Sequence, residues 1–267
     1  MSQTATRPAR RVKDPASIDP RIRERRQSVA RSRGRRRVLF MSPLILLALL
    51  LTTFVLAGHS SLLAARSLTV TGPHEHTSQA AILAAAGLAG HPPMLDVNPG
   101  SVTKKLEALP WVSKATVELH WPDGVSISVS ERTAVGAVAR PGGGWVEVDH
   151  TGRLLADVAS VPAGLAQVVG VGTVGAPGEW LSTASLPLLD IAATLPPAFR
   201  SDVTAISTAS GGTVQLELTG GTHVVLGMPS DLRAKYEDVA SLLAGDPPKA
   251  GSVVNVSAPE SPTVTAP

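Results

Sequence analysis

Residues Leu106 to Arg132 read LEALPWVSKATVELHWPDGVSISVSER, and the alternation inside this stretch decides the fold. Ala115, Val117, Leu119 and Trp121 alternate with Lys114, Thr116, Glu118 and His120, the period-two pattern of a strand with one buried and one wet face. Pro122-Asp123-Gly124 supplies a turn, and Val125, Ile127 and Val129 alternate with Ser126, Ser128 and Ser130 on the return. A β-hairpin closing at Glu131 and Arg132 follows. Trp111 and Trp121 are read as core anchors, because large aromatic rings gain most from burial.

Towards the N-terminus, Asn98 serves as an N-cap with Pro99 at the first helical position, and Val102, Leu106 and Leu109 fall at i, i+4 and i+7. Before it, Thr77 or Ser78 caps a shorter helix with Ile82, Leu83 and Ala86 on its apolar face, stopped by Gly87. Leu68 and Val70 alternate with Thr69 and Thr71 up to Gly72-Pro73, predicting a short strand. Residues 67–133 therefore form one unit ordered strand, helix, helix, strand, strand.

Towards the C-terminus, residues 134–257 form a second unit built mostly of hairpins. Val135 to Val138, Trp145 to Val148 and Arg153 to Leu155 read as strands, separated by Pro141-Gly142-Gly143-Gly144 and by an Asp149 to Gly152 turn. Leu186, Leu189, Ile191 and Leu195 predict a helix ended by Pro196-Pro197, with Phe199 plugging the adjoining core. Val214 to Leu218 and Val224 to Leu226 pair as a hairpin. Ser230 is expected to cap a last helix lined by Leu232, Tyr236, Val239 and Leu243, with an Asp231–Lys235 pair supporting its first turn. Val253, Val254 and Val256 make a final strand, and residues 258–267, with Pro259, Pro262 and Pro267, read as an extended, unpaired tail.

Upstream of both units lies VLFMSPLILLALLLTTFVLA, Val38 to Ala57, 20 residues without a formal charge. At the helical rise it spans about 30 Å, the thickness of a bilayer's hydrocarbon core, so residues 38–58 are assigned as a transmembrane helix and 59–66 as a linker. Arg31, Arg33, Arg35, Arg36 and Arg37 crowd its N-terminal end, which keeps that side cytoplasmic under the positive-inside rule and puts the two folded units outside. A cleavable signal peptide fits less well: 37 residues precede the apolar run, and no clean A-x-A site follows. The Arg35-Arg36 pair also suits a twin-arginine export signal, although an arginine run explains it equally well.

Residues 1–37 carry 13 Lys/Arg against 3 Asp/Glu, leaving the tail at +10 and the remainder at −7. With few large apolar groups this tail is expected to be disordered, its arginines attracted to an anionic membrane surface. It has no aromatic residue for base stacking, which argues against nucleic acid as a partner. The sequence has no cysteine, which excludes disulfides and thiolate metal sites.

Three patterns invite a chemical reading, and each is incomplete. Ser101-Val102-Thr103-Lys104 satisfies the S-x-x-K spacing of penicillin-binding enzymes, but S-D-N is absent and Lys249-Ala250-Gly251 only approximates K-T-G. His74, Glu75 and His76 supply at most part of a metal site. Asp149 and His150 are neighbours in a tight turn, where Asp149 more naturally accepts bonds from nearby backbone amides than acts as half of an acid–base pair. No Gly-rich phosphate loop stands between a strand and a helix. The reading is of a protein without catalytic, cofactor or metal residues and without a small-molecule substrate.

With these elements placed, the chain resembles the FtsQ/DivIB cell-division family. The resemblance is carried by Leu106 to Arg132, with Leu109-Pro110-Trp111-Val112 and Trp121-Pro122 as its marks, by Val148-Asp149-His150-Thr151-Gly152, and by Val225-Leu226-Gly227 followed by Leu232, Lys235 and Tyr236. It implies an α+β protein: a disordered basic N-terminus, one transmembrane helix, a βααββ POTRA domain, then a mixed β domain of hairpins with two helices. It also implies a non-enzymatic scaffold of the bacterial divisome, located at the septum, that helps control septal peptidoglycan synthesis and recruits a subcomplex resembling FtsB and FtsL by strand addition to its C-terminal domain. Carried onto matching positions, the partner site falls on Val254, Asn255, Val256, Ser257 and Ala258, with Tyr236 on the supporting helix. Pro259 and Pro262 depart from the family pattern and would limit a long strand addition. The competing readings are a POTRA scaffold for export or assembly and a cell-wall acyltransferase using Ser101 and Lys104.

Overall fold

A computed structural model describes residues 41–60, 63–245, 248–259 and 261–267. Helix α1, Met41–Gly58, is long and apolar enough to cross a membrane. Thr52 and Thr53 return their hydroxyls to the carbonyls of Ala48 and Leu49, both at 2.8 Å, which removes two polar groups from an otherwise apolar surface. Val38 to Phe40, the basic tail and the five topology arginines lie outside the described residues.

The βααββ unit is present as read. It comprises β1 (Ser67–Thr71), α2 (Gln79–Ala86), α3 (Pro99–Glu107), β2 (Val112–His120) and β3 (Gly124–Glu131). Ser78 caps α2 by accepting from the Ala81 amide, Gly87 ends it in the left-handed region, and Asn98 caps α3 by accepting from the Ser101 amide. Strand order is β1-β3-β2, with β1 parallel and β2 antiparallel to β3. The return strand is therefore central: Val125, Ile127 and Val129 face the helices, packed with Ile82, Val102 and Leu106. Trp111 is buried, but Trp121 departs from expectation, standing 50% exposed at the tip of the β2–β3 turn. The alternation that points Trp121 inwards ends with the strand at His120, one residue too early to hold it there.

The second unit is one nine-stranded mixed sheet. Strands β4 (Ala134–Ala139), β5 (Trp145–Asp149), β6 (Leu154–Val158), β7 (Ala166–Val168), β8 (Val203–Thr208), β9 (Val214–Leu218), β10 (His223–Gly227), β11 (Val253–Asn255) and β12 (Thr263–Thr265) take the order β12-β11-β10-β9-β8-β7-β4-β5-β6. Two antiparallel meanders, β4-β5-β6 and β8-β9-β10, are joined through β7, which is parallel to both neighbours. Helices α4 (Leu186–Thr194), α5 (Pro197–Arg200) and α6 (Leu232–Ala244) contribute Leu189, Ile191, Phe199, Tyr236 and Val239 to a single core with Val146, Ile206, Leu216 and Val224. At roughly 25 cal/mol per Å² of apolar surface removed from water, this core is the main force holding the sheet together.

Two local expectations change in the last helix. Its N-cap is Asp231, in the left-handed region and without a side-chain capping bond, rather than Ser230. Lys235 does not pair with Asp231: it is 2% exposed and its ammonium donates to the Met228 carbonyl at 2.8 Å. The segment read as an unpaired tail contains β12, which pairs antiparallel with β11 as Val253↔Thr265, Val254↔Val264 and Asn255↔Thr263.

Candidate functional site

The C-terminal end of the nine-stranded sheet is built by an unusual succession of strands. After β10 the chain crosses through α6 and returns as β11, parallel to β10, before reversing into β12. Gly227 makes the exit from β10 possible: its φ is +72°, and a Cβ there would stand 2.8 Å from the Ser257 Cβ. Lys235 then holds the following loop by its carbonyl at Met228. On β11, Val254 points into the core and Asn255 away from it, its side-chain oxygen accepting from the Ser257 amide at 3.0 Å.

The five strand residues nominated from sequence are thus adjacent, but β11 is not the edge. One side is taken by β10 and the other by β12. Val254 and Val256 are buried, while Asn255, Ser257 and Ala258 are exposed. Tyr236 stands apart from them in the core, 4% exposed, edge-to-face with Phe199 at 5.8 Å and with its hydroxyl 3.2 Å from that of Thr194. Burial raises its pKa, partly offset by the Thr194 hydroxyl. Among the described residues, the edge at this end of the sheet belongs to Thr263, Val264 and Thr265, all exposed. The sequence signal for that strand is a bare Thr-Val-Thr alternation between Pro262 and Pro267, too short to stand out by periodicity.

A second constellation fixes the two units against one another. Arg132, directly after β3, donates to the Val112 carbonyl at 3.1 Å and to the Asp149 carboxylate at 2.7 Å. Asp149 is 1% exposed and also accepts from the Thr151 amide and hydroxyl and from the Arg153 amide. Burial by itself pushes the Asp149 carboxyl up, but those bonds and the Arg132 charge outweigh it and hold the group below the usual carboxylate range. Arg153 reaches across to the Ala108 carbonyl at 2.9 Å, and both guanidiniums lie over the Trp180 ring, at 5.5 and 5.0 Å. The Asp149 turn is a bolt between units, and the reading of Asp149 as an acceptor of nearby amides holds.

The remaining sequence patterns form no reactive site. Ser101 and Lys104 are both exposed on α3. The amides of Glu75, His76 and Thr77 all donate to the Glu131 carboxylate at 3.1 Å, and the His76 ring stacks on Trp111 at 3.8 Å, so this loop is tied down by protein groups. No group of three potential metal-ligating side chains occurs among the described residues.

A βααββ module followed by a mixed sheet and bolted to it by buried charge, with one membrane-length helix ahead of both among the described residues, has the architecture of a POTRA-containing protein. Known proteins agree with that class and narrow it. Residues 63–132 match the POTRA domain of FtsQ type, and residues 136–256 match the C-terminal domain of the cell-division protein FtsQ/DivIB. Cell division protein FtsQ of Mycolicibacterium smegmatis is 28% identical over 98% of this chain and 74% of its own length. The protein of the same name from Streptomyces griseus is 30% identical over 65% of this chain and 84% of its own. The extracytoplasmic domain of DivIB from Geobacillus stearothermophilus aligns with 44% of this chain and 96% of its own at 19% identity, with a TM-score of 0.31. The chain belongs to the FtsQ/DivIB family of cell-division proteins. That family is one of bitopic, non-enzymatic divisome proteins, which agrees with the incomplete S-x-x-K set.

Proposed function

We propose that this chain recruits a divisome subcomplex resembling FtsB and FtsL by accepting a β-strand at the C-terminal end of its nine-stranded sheet, and through it helps control septal peptidoglycan synthesis. The observation that carries this is the position of β12: three exposed residues, paired on one side only among the described residues, at the end of a sheet whose other strands contribute to the core. An edge strand presents unpaired N–H and C=O groups that a second chain completes, while neighbouring side chains select it. The incoming strand lies against Thr263–Thr265; Val254 and Asn255 hold that edge in register, and Val256, Ser257 and Ala258 carry the chain on from them beside β10. Tyr236 supports the site from within the core. In this reading α1 spans the membrane with the arginine-rich tail in the cytoplasm against anionic lipid, and both folded units lie outside at the septum.

The test is crosslinking in living cells from a photoreactive residue at Thr265, with Val256 as the buried comparison. Capture of a small single-span coiled-coil protein from Thr265 and not from Val256 supports the edge assignment. Capture only from a probe at Thr116, on the outer strand β2 of the POTRA sheet, moves the interface to that unit and refutes it.

A further inference from the structure

We propose that Trp121, at the tip of the β2–β3 turn, is an interfacial anchor whose ring enters the headgroup layer of a lipid bilayer. The inference rests on the reading of α1 as a span with the folded units outside.

The turn lies where the chain arrives from α1. The amides of Arg66 and Ser67, the last linker residue and the first of β1, both donate to the Asp123 carbonyl, at 2.9 and 3.1 Å. The register continues this, with Ser67 opposite Gly124, so β1 runs away from the turn and the turn stays at the arriving end. A second loop meets the same segment: the Ala65 amide donates to the Pro92 carbonyl at 2.9 Å, and Ala64 bridges to Pro93. Leu95, next to that loop, is 38% exposed. Two exposed apolar side chains from separate loops thus attend one stretch of incoming chain.

Covalent geometry limits how far that end can stand from the bilayer. Gly58 closes α1 and Arg66 is eight residues later. A chain of that length reaches at most about 28 Å, and less if it is not fully extended. Tryptophan suits the boundary because its ring is apolar while its N–H seeks a wet partner, which is why it gathers at headgroup depth. A lone exposed apolar side chain needs no explanation on a soluble surface, but here it stands at the end of the unit where the chain from α1 enters.

The test uses the full chain in nanodiscs of phosphatidylethanolamine and phosphatidylglycerol, read by quenching of tryptophan emission with lipids brominated high on the acyl chain. The four tryptophans are Trp111, Trp121, Trp145 and Trp180, and none lies in α1, so the span itself contributes no signal. A quenched component is expected in the wild type, lost in Trp121→Ser and Trp121→Phe and kept in Trp180→Ser, with all variants melting like the wild type. Equal quenching in wild type and both Trp121 variants overturns the anchor. Because the chain has no cysteine, Ser128→Cys reports topology separately through a membrane-impermeant maleimide on intact cells. Labelling without Trp121 quenching overturns the anchor alone and leaves the span. Failure to label overturns both.

Discussion

Replacing Asp149 with Ala should cost more stability than any surface change in this chain. The carboxylate is almost wholly buried and accepts bonds from Arg132, from the Thr151 amide and hydroxyl, and from the Arg153 amide, at 2.7 to 2.9 Å. Its removal strands the Arg132 guanidinium beside Val112 and leaves the turn amides without an acceptor, a loss of about 3–5 kcal/mol for a broken buried pair. For a folded part of this size that lowers the melting temperature by roughly 6–20 °C. Asp149→Asn separates charge from shape. The amide oxygen can keep the turn bonds while its NH2 faces Arg132, so a loss of about 1.5–3 kcal/mol is expected. The pH dependence carries the sign. Because the folded pKa of Asp149 lies below its unfolded value, its contribution is fully present above the ordinary carboxylate range near 4 and is lost as pH falls through the folded value. The gap between wild type and Asp149→Asn should therefore narrow on acidification below about pH 4. Glu147, whose pKa burial raises against the opposing charge of His76, is common to both proteins and cancels in the difference. The assay is thermal melting from pH 7 to pH 2. An Asp149→Ala variant melting within about 2 °C of wild type, or a gap independent of pH, would refute the bolt.

Tyr236→Ala should cost about 3–5 kcal/mol by emptying the site beside Phe199, and Tyr236→Phe only about 1 kcal/mol with partner capture intact. Loss of capture in Tyr236→Ala at unchanged melting temperature would instead make Tyr236 a direct contact. Proline at Val264 or at Thr265 removes an outward-facing amide in one of the two cases, since adjacent amides alternate in direction. One variant should lose crosslinked partner while both melt normally, and retention in both argues against strand addition on β12. Glu131→Gln weakens the acceptor shared by the amides of residues 75 to 77, at about 1.5–3 kcal/mol, and should speed hydrogen exchange there; unchanged exchange would count against that role.

The POTRA unit was legible because its strands are half-buried and its helices carry side-chain caps, so period and punctuation coincide at Ser78, Gly87, Asn98 and Asp123. Legibility fails where structure is set from a distance. Strand β7 is Ala-Gln-Val, three residues with no period to read, yet it joins both meanders. Strand β8 carries Val203 and Ile206 inwards three residues apart, breaking the alternation that would announce it. Tyr236 reads equally as core or contact until Phe199 and Thr194 are seen around it. Trp121 shows a different limit. Its place in an alternating run argued for burial, and only the end of β2 at His120 frees it. At the candidate site the valine-rich strand was visible from composition, but its covering strand was not, because three residues between prolines resemble a tail.

The return of the chain through α6 means that this end of the sheet closes only after the helix has been made. A nascent chain emerges in order, and β10 lacks its outer neighbour until everything up to Asn255 has followed it. Synthesis that stalls after α6, or a protease that clips there, leaves the apolar side chains of Val224 and Leu226 without the cover of Val254 and Val256. Display of the β12 edge therefore depends on a chain kept whole through Thr265, and a copy cut after α6 shows raw apolar core where that edge would stand.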